Sequence, residues 1–331
     1  MQSLTEQGKN PDAAPAPETD FIAPLTDLGL IALAGDDAAH FLHNQITNDV
    51  ERLTPTEARL AGYCTPKGRL LATFLMWKST DGIMLQLPHE IQPAIQKRLQ
   101  MFVLRAKAKL SDATDSHVVL GLAGARAAAA LSPWFPALPA SPYTVVHADA
   151  GTLIRVADAG NSPRYQWITV QDVAEKAWPE LAAALQPTDA SAWRLSDIRA
   201  GIPRITQATQ EQFVPQMINF ELIGGVNFKK GCYPGQEIVA RSQYLGKLKR
   251  RMFLALIAGQ DARPGMEVFS AADPEQPCGM VVNAERTSQN ESACLVEMKI
   301  TAVDAGTVHL GSATGAALQF QPLPYPVTDP V

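Results

Sequence analysis

Apolar residues recur with the spacing of strands and of helices in turn along the first 199 residues. Short alternating or apolar runs predict strands at 29–33, 58–63, 68–77, 83–87, 118–122, 143–147, 152–156 and 165–170. Spacings of three and four predict a helix that starts after Asp36 or Asp37, and further helices at 91–102, 125–131, 172–185 and 190–199. This order predicts two plaits in which antiparallel strands pack under helices.

The pattern changes twice in the second half of the chain. Residues 200–228 lack strand or helix periodicity, yet they contain enough large apolar side chains to predict an ordered loop, and long irregular segments of this kind tend to be functional. Short strands separated by turn residues then predict a small β-barrel, at 252–258, 266–269, 279–283, 293–297, 307–310 and 317–320.

Composition fits a water-soluble globular protein. The chain has 331 residues, 46% of them apolar, and a formal charge of −5 from 28 basic and 33 acidic residues. Its longest apolar runs are far shorter than the ~20 residues of a membrane span, so we expect no membrane partner. The polar, proline-rich residues 1–20 predict a disordered tail rather than a secretory signal.

Cysteine and histidine usage indicates a reducing compartment and no metal site. The four cysteines form no CxxC pair, and a chain of this length can build its core without disulfides, so we expect a cytoplasmic protein. The six histidines show no HExxH pattern and no zinc-ligand spacing.

The segment KGCYPGQEIVAR, residues 230–241, is the most informative for chemistry. Pro234 is typical of the first turn of a helix, which places Cys232 just before the positive end of the helix dipole. Lys229 and Lys230 add positive charge, and such a setting lowers the pKa of a thiol and favours the thiolate. Cys232 is therefore a candidate reactive thiol, and a buried structural cysteine is the alternative.

Positive charge is concentrated in this segment and in the ten residues after it. Residues 229–251 contain seven Lys and Arg side chains and one acid, Glu237. Such a tract can bind RNA phosphates or the polyglutamate tail of a folate, and a solvated surface is the alternative. The tRNA hypothesis assigns the contact to its C-terminal cations, Lys247, Lys249, Arg250 and Arg251.

The same segment resembles the YgfZ family, folate-binding relatives of the glycine-cleavage T-protein that support iron–sulfur enzymes, including enzymes that modify tRNA. The resemblance covers nearly the whole chain after residue 20, in the family's order. It is carried by LAGDDAAHFLHNQITNDV at 33–50, GYCTPKGRLLATFLMW at 62–77, RAGIPRI at 199–205, VPQMINFELIGGVNFKKGCYPGQE at 214–237 and the basic run at 246–251.

The resemblance implies an α+β fold, with ferredoxin-like α/β subdomains in a ring and a small C-terminal β-barrel. It implies a T-protein-like region at 21–248, with a functional loop at 200–241, and a barrel at 249–331. The implied cofactor is tetrahydrofolate or a one-carbon derivative. Cys232 would be the functional thiol with Lys230 beside it, and Glu221 would accept hydrogen bonds from the pterin. The other cofactor-binding residues implied by the matching motifs are Arg199, Gln216, Asn219, Tyr233, Gln236, Glu237 and Arg241.

One departure from the T-protein pattern bears on activity. T-proteins carry acids after the glycine turn of the first hairpin, whereas this chain has Ala72 and Thr73 there. Without a carboxylate to stabilise a cationic one-carbon intermediate, we expect no independent aminomethyltransferase activity. The sequence therefore predicts a folate-binding accessory protein for iron–sulfur cluster assembly or repair, whose partners are iron–sulfur enzymes or assembly factors. The alternatives are a folate-dependent one-carbon transferase and a tRNA-binding module.

Overall fold

The computed structural model describes residues 20–244, 248–259 and 261–328. The strands are β1 Phe21–Pro24, β2 Leu28–Ala34, β3 Ala58–Cys64, β4 Leu70–Ser79, β5 Gly82–Pro88, β6 Lys109–Asp112, β7 Val118–Ala123, β8 Val145–Ala148, β9 Gly151–Ala159, β10 Ser162–Thr169, β11 Gln186–Pro187, β12 Arg250–Ala258, β13 Glu267–Ser270, β14 Asp273–Ser288, β15 Glu291–Lys299, β16 Val308–Leu310 and β17 Leu318–Gln321. The helices are α1 Ala38–His43, α2 Gln92–Met101, α3 Ala127–Leu131, α4 Gln171–Ala184, α5 Ala190–Arg199, α6 Gln236–Tyr244 and α7 Ile300–Asp304. The predicted tail, apart from Asp20, lies outside the described residues, as does Lys247.

The predicted strands and helices are confirmed, with shifts of a few residues at their ends. The sequence did not predict the short elements β1, β6, β11 and α7, which are too brief to show a period. The sequence pattern also predicted too short a strand at β14, which runs for 16 residues. Its exposed, polar first half is a strand because it pairs with β13, through two irregularities in register. Backbone pairing sustains this half of the strand, and apolar periodicity does not report it.

The described chain forms two compact units. The first comprises residues 20–42, 50–59 and 75–193. One of its sheets has the order β11-β1-β7-β10-β9-β8, antiparallel except where β1 meets β11. In its other sheet the end of β4 pairs with β5, β5 with β2, and β2 with β6, all antiparallel. The predicted turn at 79–82 joins β4 to β5, with Ser79 paired to Gly82.

Trp167 lies at the centre of the first unit's core, where α3 and α4 cover the six-stranded sheet. Its side chain is fully buried, and its ring lies 5.2 Å from that of Phe135 in an edge-to-face arrangement. The indole nitrogen donates a hydrogen bond of 2.8 Å to the carbonyl of Ala150. The residue therefore contributes both apolar contacts and a satisfied polar group to the core.

The second unit comprises residues 43–49, 60–74 and 194–328. Its antiparallel sheet has the order β16-β13-β14-β15-β12-β17, with β12 and β15 paired along their whole lengths. The two edge strands approach each other at the bridge between His309 and Ala317, so the sheet is curled into a half-barrel. This curled sheet confirms the predicted barrel-like C-terminal region of an α+β fold.

Truncation of Trp167 should strongly destabilise the first unit. We expect Trp167→Ala to lower the free energy of unfolding by about 3–5 kcal/mol, because it leaves a large cavity at the centre of the core. Urea denaturation followed by circular dichroism measures this change. Trp134→Ala, at a half-buried position against the same core, is the matched control and should cost clearly less. Equal losses for the two variants would contradict the central position of Trp167.

Candidate functional site

The irregular loop predicted at 200–228 is ordered and contains two short 3₁₀ helices, Gln207–Thr209 and Pro215–Ile218. It is joined to the start of β4 through both backbone groups of Leu70. The nitrogen of Leu70 donates to the carbonyl of Phe213, and its carbonyl accepts from the nitrogen of Glu211, both at 2.8 Å. The loop thus has backbone partners of its own, which explains its order without periodicity.

Gln216 and Asn219, both predicted to bind the cofactor, are fully buried and face the protein backbone. The Nε2 atom of Gln216 donates to the carbonyl of Val239 in α6 at 2.8 Å. Asn219 ends the second 3₁₀ helix in the left-handed conformation, with φ at 56°. Its amide donates to the carbonyl of Met252 at 2.8 Å and accepts from the same residue's nitrogen at 3.3 Å. These side chains therefore join the loop to α6 and β12.

Glu221 forms a buried ion pair with Arg251. The Oε1 atom lies 2.5 Å from Nη1 of Arg251, and the two side chains are 4% and 2% exposed. Arg251 also donates to the carbonyls of Gln216 at 3.1 Å and Thr328 at 2.7 Å. Burial raises the pKa of the Glu221 carboxyl, and the charge and hydrogen bond of Arg251 oppose that shift. The cost of desolvating the carboxylate therefore outweighs the stabilisation that Arg251 gives to its ionised form.

Three buried polar atoms of this cluster have no hydrogen-bond partner. They are Oε1 of Gln216, Oε2 of Glu221 and Nε of Arg251, two acceptors and one donor. An unpaired buried polar atom costs about 1–3 kcal/mol, so such atoms are rare in stable folds unless a ligand or water satisfies them. The Gln216–Glu221–Arg251 cluster is the candidate binding site because it brings three such atoms together on residues that contact one another.

Residues near the C-terminus pack against the cluster. The hydroxyl of Tyr325 donates to the carbonyl of Gly201 at 2.9 Å. Burial raises the pKa of Tyr325, with smaller effects from Asn219, Glu221 and Arg251. Gly201 has φ at 66°, and an added Cβ would lie 2.6 Å from the Tyr325 ring, so a side chain there is excluded on two grounds. Arg199, the last residue of α5, is half-buried just before this glycine.

Cys232 is the exposed cysteine of the chain; Cys64, Cys278 and Cys294 are buried. It lies four residues before the first residue of α6. A Cβ added to the neighbouring Gly231 would lie 3.4 Å from Nε2 of His43. The structural alternative of a buried cysteine is therefore wrong, because the thiol is open to solvent.

The Lys230 ammonium, predicted to lie beside the thiol chemistry, donates to two backbone carbonyls. It is 8% exposed and bonds to the carbonyls of His43 and Ile46, the second at 2.8 Å. The same ammonium lies 4.9 Å from the centre of the Tyr233 ring, close enough for a cation–π interaction. These contacts give Lys230 and Tyr233, on either side of Cys232, a structural role in fixing this segment.

The helix after Cys232 begins at Gln236, later than predicted. Pro234 precedes the helix in a turn that the nitrogen of Gln236 closes by donating to the carbonyl of Tyr233 at 3.2 Å. Gly235 has φ at 82°, and an added Cβ would lie 2.4 Å from the Thr65 carbonyl, so only glycine fits. Gln236 is half-buried, whereas Glu237 and Arg241 are exposed.

The basic tract presents less charge to solvent than its formal count suggests. Arg250 forms a bidentate ion pair with Glu297, whose side chain is 1% exposed, and Arg251 is buried against Glu221. Lys229, Arg241 and Lys249 are exposed. The two terminal arginines of the proposed tRNA contact are thus neutralised by buried acids.

Sequence reasoning missed the polar residues of the 43–49 segment. Thr47 donates to the carbonyl of Gly225 at 2.6 Å, and Asn48 donates to the carbonyls of Gly224 and Leu60 at 2.8 and 2.7 Å. His43 Nδ1 lies 3.3 Å from Oδ1 of Asp49, both nearly buried. Polar residues crowded behind an apolar helix were the available signal. This segment fixes the glycine pair that follows Glu221.

Thr73, at the position where T-proteins carry an acid, accepts a hydrogen bond of 3.1 Å from the nitrogen of Ile205. Within the described ranges, no group of three or more His, Cys, Asp or Glu side chains is placed to hold a metal ion. No helix in the described part of the chain is long and apolar enough to cross a membrane.

Comparisons with known proteins identify the family of this chain. The chain is 30% identical over 307 residues to the tRNA-modifying protein YgfZ of Klebsiella pneumoniae (strain 342), covering 92% of this chain and 93% of that protein. It is 35% identical over 237 residues to the tRNA-modifying protein YgfZ of Edwardsiella ictaluri (strain 93-146), covering 70% of each. The chain belongs to the YgfZ family.

Comparison with a solved structure shows that this YgfZ family member has the fold of the T-protein. The glycine cleavage system aminomethyltransferase T from Bartonella henselae matches with a TM-score of 0.76 and 16% identity, covering 93% of this chain and 86% of that one. No family model matches the chain. The likeness establishes the fold, and the aminomethyltransferase activity stays with the Bartonella protein.

Native-state thiol labelling should detect one fast cysteine. Burial raises the pKa of Cys64 and of Cys294 to about 12, and it also raises that of Cys278, so their thiolates are scarce and shielded. We expect one thiol per chain to react rapidly with a disulfide reagent under native conditions and all four to react in denaturant. The fast phase should vanish in Cys232→Ser and persist in Cys278→Ala. A fast phase that survives Cys232→Ser would contradict this assignment.

The losses of stability from removing the two partners of the buried ion pair should not be additive. We expect Glu221→Leu and Arg251→Met each to lower the free energy of unfolding by about 3–5 kcal/mol, because each leaves the other charge buried and unpaired. The double variant should be more stable than the sum of the two losses implies, by about 2 kcal/mol or more. Urea denaturation of all four proteins measures this coupling, and additive losses would contradict it.

Proposed function

We propose that this protein is a tetrahydrofolate-binding accessory protein for the assembly or repair of iron–sulfur clusters, with Cys232 as its reactive thiol. On this proposal it supports iron–sulfur enzymes, including enzymes that modify tRNA, and works in the cytoplasm. The observation that carries the proposal is the set of buried, unpaired polar atoms on Gln216, Glu221 and Arg251. The tRNA-modifying YgfZ relatives support the link to tRNA.

The buried cluster is chemically suited to a pterin. The aminopyrimidine edge of a pterin presents N–H donors beside ring-nitrogen and carbonyl acceptors, and a carboxylate oxygen is a strong acceptor for such a donor. Oε2 of Glu221 and Oε1 of Gln216 are unpaired acceptors, and Nε of Arg251 is an unpaired donor. These three side chains would hold the pterin. Tetrahydrofolate, when bound, supplies a carrier for one-carbon groups.

Cys232 would act through its thiolate at the surface of the same unit. Lys230 positions its segment through the carbonyls of His43 and Ile46, and Tyr233 packs against the Lys230 ammonium. The thiol itself is left exposed. An exposed thiol can reach a group on another macromolecule, which an accessory protein requires. The chemistry assigned to Cys232 is therefore intermolecular.

Aminomethyl transfer is the less favoured function. Thr73 stands where an acid would stabilise a cationic one-carbon intermediate, and its hydroxyl is bonded to the backbone of Ile205. We therefore propose a folate site without an independent aminomethyltransferase. Turnover of an aminomethyl donor with tetrahydrofolate would restore the transferase hypothesis.

Direct titration tests the folate site. Under anaerobic conditions, we expect tetrahydrofolate to bind the full chain saturably by calorimetry. Glu221→Gln should weaken binding at least about tenfold, equivalent to about 1.4 kcal/mol, because a carboxylate acceptor is lost. Glu175→Gln, on the exposed face of α4, is the control and should bind as wild type does. Absence of binding in folded wild-type protein, or equal affinity in folded Glu221→Gln, would overturn the folate assignment.

Genetic complementation tests the thiol. In a strain lacking its own family member, wild-type protein should restore iron–sulfur enzyme activity and the tRNA modifications that depend on it. Cys232→Ser should fail to do so while it retains folate binding, and Cys278→Ala should restore both. Full restoration by Cys232→Ser would remove the thiol from the mechanism and leave the folate site standing.

A further inference from the structure

The turn that follows α2 carries an exposed apolar tip. Met101, Phe102 and Leu104 are 60%, 47% and 87% exposed, and only four other large apolar side chains in the described residues are classed as exposed. Three of these seven side chains therefore fall within four consecutive residues. Scattered exposed apolar residues are ordinary, whereas a contiguous exposed group marks an interaction site. The folding of the first unit gives no reason for this exposure.

The backbone holds this tip in a strained conformation. Leu104 has φ at 48°, in the left-handed region that a bulky side chain rarely adopts. The turn is closed by a 2.8 Å hydrogen bond from the nitrogen of Ala106 to the carbonyl of Val103. Both backbone groups of Lys107 bond to Asp37, which anchors the end of the turn. Strain of this kind persists where the surrounding structure enforces it, and it is concentrated at functional sites.

Positive charge surrounds the tip. The segment 91–111 contains five cations and no acid: Lys97, Arg98, Arg105, Lys107 and Lys109. Four of them are exposed and Arg98 is half-buried. Exposure alternates after Leu104, since Arg105, Lys107 and Lys109 are exposed while Ala106 and Ala108 are half-buried. Acids near them include Asp36, which lies 3.7 Å from the Lys107 ammonium in an exposed pair, and Asp37, whose carboxylate accepts from the backbone nitrogen of Lys107.

We propose that residues 97–109, named here the basic-apolar tip, dock into an apolar pocket with an acidic rim on a partner protein. The charge requires an anionic partner, and the rigid tip requires one with a fixed shape. A fluid lipid surface needs no fixed turn. RNA offers stacking surfaces for Phe102 alone, whereas Met101 and Leu104 have no base edge to read. Aromatic residues, methionine and arginine are typical of protein interfaces.

This surface deepens the proposed function, because it rests on the requirement that an accessory protein contact its iron–sulfur client or assembly factor. It lies on the first unit, whereas Glu221 and Cys232 lie on the second. The docking surface can therefore be altered while folate binding and thiol labelling are measured separately.

Leu104→Gly separates docking from folding. Glycine adopts φ at 48° without strain, so the variant should be at least as stable as wild type while it loses the most exposed apolar side chain of the tip. Glu211→Gly is the matched control, since Glu211 is also exposed and has φ at 62°. Both variants should keep wild-type folate binding and thiol labelling.

Photo-crosslinking in living cells identifies the occupant. Met101→p-benzoylphenylalanine in the full chain should give a discrete protein adduct that Lys176→p-benzoylphenylalanine, at an exposed position on α4, does not give. Mass spectrometry identifies the adduct. The partner protein identified in this way, purified without crosslinking, should bind wild type and Glu211→Gly with equal affinity. It should bind Leu104→Gly at least about tenfold more weakly. Binding should also weaken as salt rises, and in Arg105→Glu/Lys109→Glu but not in Lys176→Glu.

Several results would overturn the proposal. They are an adduct that ribonuclease removes, an adduct with lipid alone, no adduct above the Lys176 control, and equal binding of the identified protein to wild type and Leu104→Gly. Failure of wild-type protein to bind tetrahydrofolate would overturn the proposed folate site instead. That result would leave the crosslinking experiment able to decide for or against the tip.

Discussion

The second unit depends on an ion pair that is expensive to bury. Glu221 and Arg251 are 4% and 2% exposed, and removing two charges from water costs several kcal/mol per ion unless other hydrogen bonds compensate. Arg251 gains two backbone carbonyls besides its carboxylate, those of Gln216 and Thr328. One pair thereby joins the irregular loop, the first strand of the curled sheet and the end of the described chain. Oε2 of Glu221 and Nε of Arg251 stay unpaired, and a bound ligand that bonded to them would offset the free-energy cost of burying them.

The polar residues of the family motifs mainly bond to backbone, which explains how a loop without periodicity can be ordered. Gln216, Asn219, Lys230 and Thr47 all reach carbonyls far away in the sequence. Each satisfies a buried backbone group that a helix or strand would otherwise satisfy. Because these side chains bond to the backbone, they position the segment, whereas the thiol of Cys232 is left exposed.

Much of the fold could be predicted from the sequence, because strands and helices with one buried face repeat their apolar residues at a fixed period. The elements that escaped are those without such a face, such as β6 and the exposed first half of β14. The fold and family followed from the resemblance of the motifs. Residue roles within the site were less accessible, since the pairing of Glu221 with Arg251 joins residues 30 positions apart through tertiary structure alone. The prediction of a reactive Cys232 came from its local setting, before a helix and among cations, which adjacent residues specify, and the structure shows the thiol to be exposed.

The two basic segments show why formal charge needs burial before it indicates a partner. In residues 229–251 the sequence counts seven cations, yet Arg250 and Arg251 are neutralised by Glu297 and Glu221, and Lys230 bonds to buried carbonyls. The basic-apolar tip has fewer cations, but most of them are exposed and they surround apolar side chains that nothing in the described first unit covers. A charge that its own fold neutralises contributes to stability, whereas a charge left at the surface beside a strained apolar turn contributes to recognition. By this reasoning the weaker of the two sequence signals marks the better docking surface.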